Sequence, residues 1–247
     1  MNEIDAIKKF LKANCVERLD IKAALIDMDG VLYDSMKNHT AAWFRMATEL
    51  GIKSERDEFY LYEGMTGAAT IDILFRRAYD RNATPDEARA LYEKKAEYFN
   101  ELGEPVMMPD ADRMLGVLHD NGIQRILVTG SGQKSILERL DRDYPGMFAE
   151  GKRVTAHNVT HGKPNPEPYL KGQQFAGCSP AECIVIENAP LGVQAGHASG
   201  SFTIGITTGP IPDIEMWKSG ADLVYGSMAE FADALPRLIE LAKSTTL

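Results

Sequence analysis

Residues 22–35 read KAALIDMDGVLYDS: a short apolar run, then two carboxylates, Asp27 and Asp29, with Gly30 directly behind them. Two like charges this close raise each other's proton affinity and are costly to desolvate. A chain sets them at the end of a buried strand only where a cation or a reaction offsets that cost. A solvent-facing acidic turn would not follow the run AALI so directly. In an extended chain, residues two apart point the same way, so both carboxylates are expected on one side, with a divalent cation between them to remove the repulsion. A calcium loop is excluded: counted from Asp27, Leu32 stands where that loop needs glycine and Asn38 where it needs glutamate.

Similar apolar runs recur along the chain as QRILV (124–128), CIVI (183–186), FTIGI (202–206) and DLVY (222–225). Helical patterns separate them: ADRMLGVLHDNG, QKSILERLDRD, EPYLKGQQFAG and PLGVQAGHASG. Strands buried on both faces and alternating with helices predict an α/β fold, a doubly wound parallel sheet of Rossmann-like type. Ligands bind such sheets beyond the carboxyl ends of the strands. Residues 36–104 break the rhythm with helical periodicity and no strand pattern. There Thr84, Pro85 and Glu87 make a helix start with a capping box, and Gly51 stops the helix that AAWFRMATEL belongs to. An all-helical insertion between the first and second strands, acting as a lid, follows. The expected division is a core of 1–35 and 106–247, with 1–20 as an added N-terminal helix, and a cap of 36–105. In that first helix Ile4, Ile7, Phe10 and Leu11 recur at helical spacing.

The 247 residues carry a net charge of −9, which disfavours a nucleic-acid partner. An anionic substrate would need local cations or a metal. Cys15, Cys178 and Cys183 are odd in number and lack metal-ligand spacing, so they are expected to be reduced and buried. No apolar run approaches a membrane span; a soluble, cytoplasmic monomer is the expectation.

Four strand ends then carry oxygen and nitrogen ligands: Asp27 and Asp29; Thr129, Gly130 and Ser131 in VTGSGQKS; Lys163 in the proline-stiffened HGKPNPEPYL; Glu187 and Asn188 in VIENAPLGV. Singly, the last three would be a strand-to-helix turn, a solvated lysine and a helix cap. Together they are the inventory for holding Mg²⁺ and a phosphoryl group.

In these motifs the chain resembles the haloacid dehalogenase superfamily, specifically the β-phosphoglucomutase-like phosphatases with an inserted helical cap. The resemblance runs from about Lys22 to the C-terminus. It implies Asp27 as nucleophile forming an aspartyl-phosphate and Asp29 as general acid, then base. It also implies Thr129, Gly130 and Ser131 as phosphate binders and Lys163 as the neutralising cation. Mg²⁺ would be held by Asp27, the Asp29 main-chain carbonyl and residue 188, with Glu187 in support. The family commonly has aspartate where this chain has Asn188, which removes one charge from the metal site. Members that cleave carbon–halogen bonds lack the second acid, so Asp29 argues for phosphorus chemistry. A non-catalytic metabolite-binding protein would be expected to have lost Asp27, Asp29 or Lys163.

A small phosphorylated metabolite or inorganic pyrophosphate is the expected substrate of a phosphatase; β-phosphoglucomutase is the alternative. In the mutase subgroup the cap segment like YEGMTGAATIDIL carries a basic residue near position 63 and arginine at position 67. Here they are Glu63 and Gly67, and glycine cannot bind phosphate as arginine does, unless Lys37, Arg76 or Arg77 reaches the site instead. Glu63 either reaches the metal on lid closure or is an exposed glutamate at a helix end. His39 either orients a proton-transfer group or a cap lysine, or packs at the hinge.

Overall fold

Why the run AALI folds as a strand is visible in its burial. In the computed structural model, which describes residues 1–132, 134–149 and 151–247, β1 (Ala23–Ile26) is buried along its whole length. Ala24 and Ile26 pack into one apolar cluster and Ala23 and Leu25 into another on the opposite face. Each larger side chain so buried contributes about 1.5–3 kcal/mol. β1 is the pivot of a six-stranded sheet with β4 (Gln124–Val128) and β5 (Arg153–Val154) on one side, and β6 (Cys183–Glu187), β7 (Phe202–Ile206) and β8 (Leu223–Tyr225) on the other. The order is β5-β4-β1-β6-β7-β8 and every pairing is parallel. The chain therefore reverses its winding at β1, where a doubly wound sheet opens its binding crevice. β2 (Tyr33–Asp34) and β3 (Val106–Met107) form a separate antiparallel pair that the sequence reading did not foresee. It bridges the two ends of the insertion.

Helices cover both faces of the sheet. α5 (Ala111–Asp120), α6 (Lys134–Asp143), α7 (Glu167–Ala176) and α8 (Pro190–Ala198) fall on the four helical patterns; α9 (Asp213–Lys218) and α10 (Met228–Ser244) follow later strands. The N-terminal α1 (Glu3–Asn14) buries Ala6, Ile7, Phe10 and Leu11, with the Phe10 ring edge-on to Phe202 at 5.3 Å. Ile4 is exposed and Ala6 takes the inward place expected for it. The cysteines are unpaired, but only Cys183 is buried; Cys178 is half-buried and Cys15 exposed.

The insertion is helical, as its periodicity predicts: α2 (Met36–Glu49), a short 3₁₀ turn over Arg56–Tyr62, α3 (Gly67–Tyr79) and α4 (Pro85–Glu101). Thr84 and Glu87 close the capping box at the start of α4, and α2 gives way at Leu50 to Gly51 with φ +69°. The fold is an α/β core with an inserted helical cap. No helix among the described residues is long and apolar enough to cross a membrane.

Candidate active site

Register brings the sequence motifs together. Ile26 of β1 lies level with Leu127 of β4 and Ile186 of β6. Asp27, Thr129 and the Glu187–Asn188 pair thus leave three adjacent strands side by side. The Asp27 amide extends the ladder by donating to the Ile186 carbonyl at 3.0 Å. Lys163 comes in from the loop ahead of α7 and is buried, 1% exposed, unlike an ordinary loop lysine. Its Nζ donates to Asp27 Oδ1 at 2.5 Å, to Glu187 Oε1 at 2.6 Å and to the Val128 carbonyl at 3.1 Å, so each ammonium proton has an acceptor. Burial alone would lower the lysine pKa, but the two carboxylates outweigh it and hold Lys163 above the usual value. Asp27 is pushed up to about 8, first by burial and then by Glu187 and Asp29, against the pull of Lys163. Asp27 Oδ2 has no hydrogen bond among the described residues, and Asp27 lines the central cavity.

The expected extended path from Asp27 to Asp29 is corrected by the structure. The backbone turns after Ile26: the amides of Leu32 and Tyr33 both fold back onto the Met28 carbonyl, at 2.8 and 3.1 Å. Gly30 makes this turn possible, with φ +82° and a missing Cβ that would lie 1.9 Å from Asn188 Nδ2. Asp29 still lines the same cavity as Asp27, because the tight turn, rather than strand alternation, aims it there. Its Oδ1 accepts from the Ser35 hydroxyl at 2.6 Å and meets His39 Nε2 at 3.0 Å. Burial opposes its ionisation, but His39, Ser35 and Lys95 together hold its carboxyl below the usual carboxylate range.

His39 is buried and stacks on Phe99 at 4.3 Å between ring centres. Its Nδ1 faces Lys95 Nζ at 2.5 Å. With the lysine donating there, Nε2 keeps the ring proton and donates it to Asp29. Burial, then the Lys95 charge, lowers the His39 pKa, and burial brings Lys95 down to about 7. Lys95 is the residue that the sequence reading missed by number. The available signal was its place in the buried stripe of α4 with Tyr98 and Phe99, a core position that a charged residue occupies only with a partner.

Glu63 is at a helix end, just past the 3₁₀ turn, yet it is buried. Its Oε2 accepts from Asn188 Nδ2 at 3.2 Å, so a cap residue touches the far strand end. Burial first, then Asp27, Glu187 and Asp29, raise its pKa well above the ordinary glutamate value. Among the described residues, buried Asn188 Oδ1 has no hydrogen-bond partner, an expensive state for an amide oxygen. Among the described residues, no three His, Cys, Asp or Glu side chains form a metal cluster. A site here is therefore mixed: carboxylate oxygens of Asp27 and Glu63, the Asp29 carbonyl and the Asn188 amide oxygen. These are hard oxygen donors of the kind Mg²⁺ takes, and the orphaned Asn188 oxygen and the unneutralised acids fit such an ion. The support expected of Glu187 comes through its neighbours rather than by an open oxygen. Its Oε1 is taken by Lys163 and the Tyr169 hydroxyl, and its Oε2 by the amides of Asn188 and Ala189. It anchors the lysine and Asn188 rather than offering an oxygen.

Thr129 Oγ1 accepts from the Ser131 amide at 3.0 Å, and Thr129, Gly130 and Ser131 all line the cavity. The space between cap and core measures about 60 Å³. Lys37, Arg76 and Arg77 do not line it: they bond to Asp34, to Asn82, and to Glu58 with Tyr62, respectively.

A family model for haloacid dehalogenase-like hydrolases matches residues 21–200. The chain belongs to the haloacid dehalogenase-like hydrolases. As a member of these hydrolases it is an enzyme. It is 32% identical over 196 residues to hexitol phosphatase A of Escherichia coli, covering 75% of this chain and 82% of that protein. It is 27% identical over 212 residues to β-phosphoglucomutase of Bacillus subtilis, covering 83% and 88%. A solved structure of a putative β-phosphoglucomutase from Bacteroides vulgatus superposes with a TM-score of 0.94 at 43% identity, covering 98% of both chains.

Proposed function

We propose that this hydrolase is a Mg²⁺-dependent phosphatase that acts on a small phosphorylated metabolite or inorganic pyrophosphate through an aspartyl-phosphate. One observation carries the reading. Lys163 holds one oxygen of the buried Asp27 carboxylate while the other, without a hydrogen bond among the described residues, belongs to a side chain lining the cavity.

In this reading Asp27 Oδ2 attacks phosphorus in line as the bond to the leaving oxygen breaks. Asp29, ionised in the resting site, first takes up a proton, gives it to that oxygen and then takes one from the water that hydrolyses the acyl phosphate. His39, donating through Nε2, orients the Asp29 carboxyl, and Lys95 holds the imidazole in that tautomer. Thr129, the Gly130 amide and Ser131 receive the equatorial oxygens, and Lys163 balances the charge on nucleophile and phosphoryl group. Bound Mg²⁺, held by Asp27, the Asp29 carbonyl, Asn188 and Glu63, would supply the remaining charge neutralisation. Residues 36–105 would open and close as the cap over a core of 1–35 and 106–247.

A second reading, β-phosphoglucomutase, is favoured by the names of the Bacillus and Bacteroides relatives. The cap opposes it: Gly67 and Glu63 offer no grip for a second phosphate, and Lys37, Arg76 and Arg77 are engaged elsewhere. ³¹P NMR with Mg²⁺ separates the readings, using β-glucose 1-phosphate primed with glucose 1,6-bisphosphate, a panel of sugar phosphates, and pyrophosphate, with Asp27→Asn as blank. Free phosphate, absent from the blank, is the expected result. Glucose 6-phosphate from the primed sample would make it a mutase, and silence in every sample would end the catalytic reading. Glu63→Gln should raise the Mg²⁺ concentration needed for half-maximal turnover; an unchanged requirement would remove Glu63 from the metal site.

A further inference from the structure

At the amino ends of the strands, opposite the candidate catalytic residues, lies a larger cavity that the proposed chemistry does not use. It measures about 440 Å³, within the roughly 300–1,000 Å³ usual for small-molecule sites. Its walls are α1, the last turn of α8, α9 and the starts of β7 and β8. Both α1 and α9 stand outside residues 21–200, the stretch that the family model matches. The buried end of the cavity holds two polar groups with spare capacity. Asp222, 7% exposed, stands just ahead of β8. Its Oδ2 accepts from the Thr203 amide at 2.8 Å, and its Oδ1 has no hydrogen bond among the described residues. Burial pushes this carboxyl up to about 6, against the pull of the Thr203 amide, His197 and Lys9, so it is ionised at neutral pH. Ser201, 1% exposed, stands just ahead of β7. Its hydroxyl accepts from Gln173 Nε2 at 2.9 Å, and its own proton has no acceptor among the described residues. The Asp222 amide donates to the Thr203 carbonyl at 2.7 Å, so the two groups stand at the starts of neighbouring strands. Buried groups with spare capacity are costly unless a bound molecule completes them. The half-buried Trp217 of α9 supplies an aromatic wall, and the exposed Lys9 and His197 stand at the rim. Gly220, with φ +99°, passes so close to His197 that a Cβ would lie 2.7 Å from its ring Cγ.

We propose that this cavity binds an amine-bearing nucleotide of the adenine type. An adenine edge presents an N–H donor beside a ring-nitrogen acceptor, the complement of the Asp222 carboxylate and the Ser201 hydroxyl. The base lies against Trp217, and the phosphate meets Lys9 and His197 at the rim. A hypoxanthine edge, a carbonyl beside an N–H, sets oxygen against the Asp222 carboxylate. The cavity shares no lining residue with the active site, and its occupant does not depend on the phosphatase reading.

Equilibrium binding tests the site, with Mg²⁺ present and with Asp27→Asn throughout so that phosphate esters stay intact. One readout is the fluorescence of Trp217, left as the sole tryptophan by Trp43→Phe; the other is calorimetry with both tryptophans in place. Adenosine monophosphate should quench Trp217 and bind tighter than inosine monophosphate by about tenfold or more. Asp222→Asn keeps an oxygen for the Thr203 amide and turns an N–H toward the ligand. It should weaken adenosine monophosphate about tenfold and reverse the preference toward inosine monophosphate. Lys9→Ala should weaken both nucleotides alike, by about twofold to fivefold, and leave adenosine unchanged. If Asp222→Asn or Trp43→Phe does not fold, the calorimetric ratio of the two nucleotides decides. Equal affinity for the two, binding without quenching, binding that survives Asp222→Asn unchanged, or no binding of adenosine monophosphate at millimolar concentration overturns the site.

Discussion

The core and cap halves of the cavity are built on opposite principles. On the core side, Asp27, Lys163 and Glu187 form one buried network in which every proton of the lysine and both oxygens of Glu187 are engaged. Such a network is stiff and holds the reacting atoms to a fixed geometry. On the cap side, Glu63 and Tyr92 come from the insertion and each meets the core through one or two polar contacts, while Lys95 meets His39 on α2 of the same insertion, which in turn reaches Asp29. The core half is thus suited to chemistry and the cap half to admission. A charge is costly to unpair in the first, while in the proposed function the second would separate and close again.

Several measurements would break or sharpen this contrast. Asp27→Asn should cost most, lowering turnover by about four orders of magnitude or more, checked by phosphate release with every candidate substrate. A modest loss would mean that Asp27 is not the nucleophile. Lys163→Met leaves Asp27 and Glu187 buried without their counter-charge and should destabilise the fold by about 3–5 kcal/mol, measured by chemical denaturation. An equal loss for Lys95→Met would erase the distinction between the halves.

A metal-free sample tests the electrostatics. The pKa values of Asp27 and Glu63 are raised in the folded state, so these acids keep protons that the unfolded chain releases near pH 4. Their contribution to stability is complete below that pH and is lost as pH rises, for Asp27 through about 8. In EDTA, Tm should therefore fall between about pH 4 and 8. Mg²⁺ at about 100 times its Kd should restore about 2.7 kcal/mol at the upper end. A flat Tm in EDTA would contradict the crowding of acids. The smallest effect is expected from Asn188→Asp. An added charge should tighten Mg²⁺ binding about tenfold, or about 1.4 kcal/mol, by calorimetry, while lowering metal-free stability through repulsion with Glu63.

Much of the core half was legible in the sequence. Strand ends are marked by the change from apolar runs to Asp27, Thr129 and Glu187, and parallel winding sends those ends to one side, while Lys163 is marked only by its proline-stiffened loop. The path from Asp27 to Asp29 was misjudged, because alternation holds only while the strand lasts and Gly30 turns the chain at once. The resemblance left open whether Glu187 touches a metal or supports its site through neighbours; its oxygens are spent on Lys163, Tyr169 and two amides. For Glu63 the sequence left a pocket position and an exposed one both open, since exposure depends on what packs over a residue.

By itself, the sequence determined the alternation of strands and helices, the helical insertion, its capped helix starts and the set of residues delivered to the strand ends. These follow from periodicity and short-range backbone chemistry, which neighbouring residues carry among themselves. Only the tertiary structure decided that Lys95 reaches His39, that Glu63 meets Asn188 across 125 positions of chain, and that Tyr92 occupies the room left by Gly67. The Glu63–Asn188 contact depends on how two separately folded surfaces meet, and the other two on how the helices of the cap pack on one another. No local pattern encodes that meeting, because its energy is shared by residues far apart in the chain.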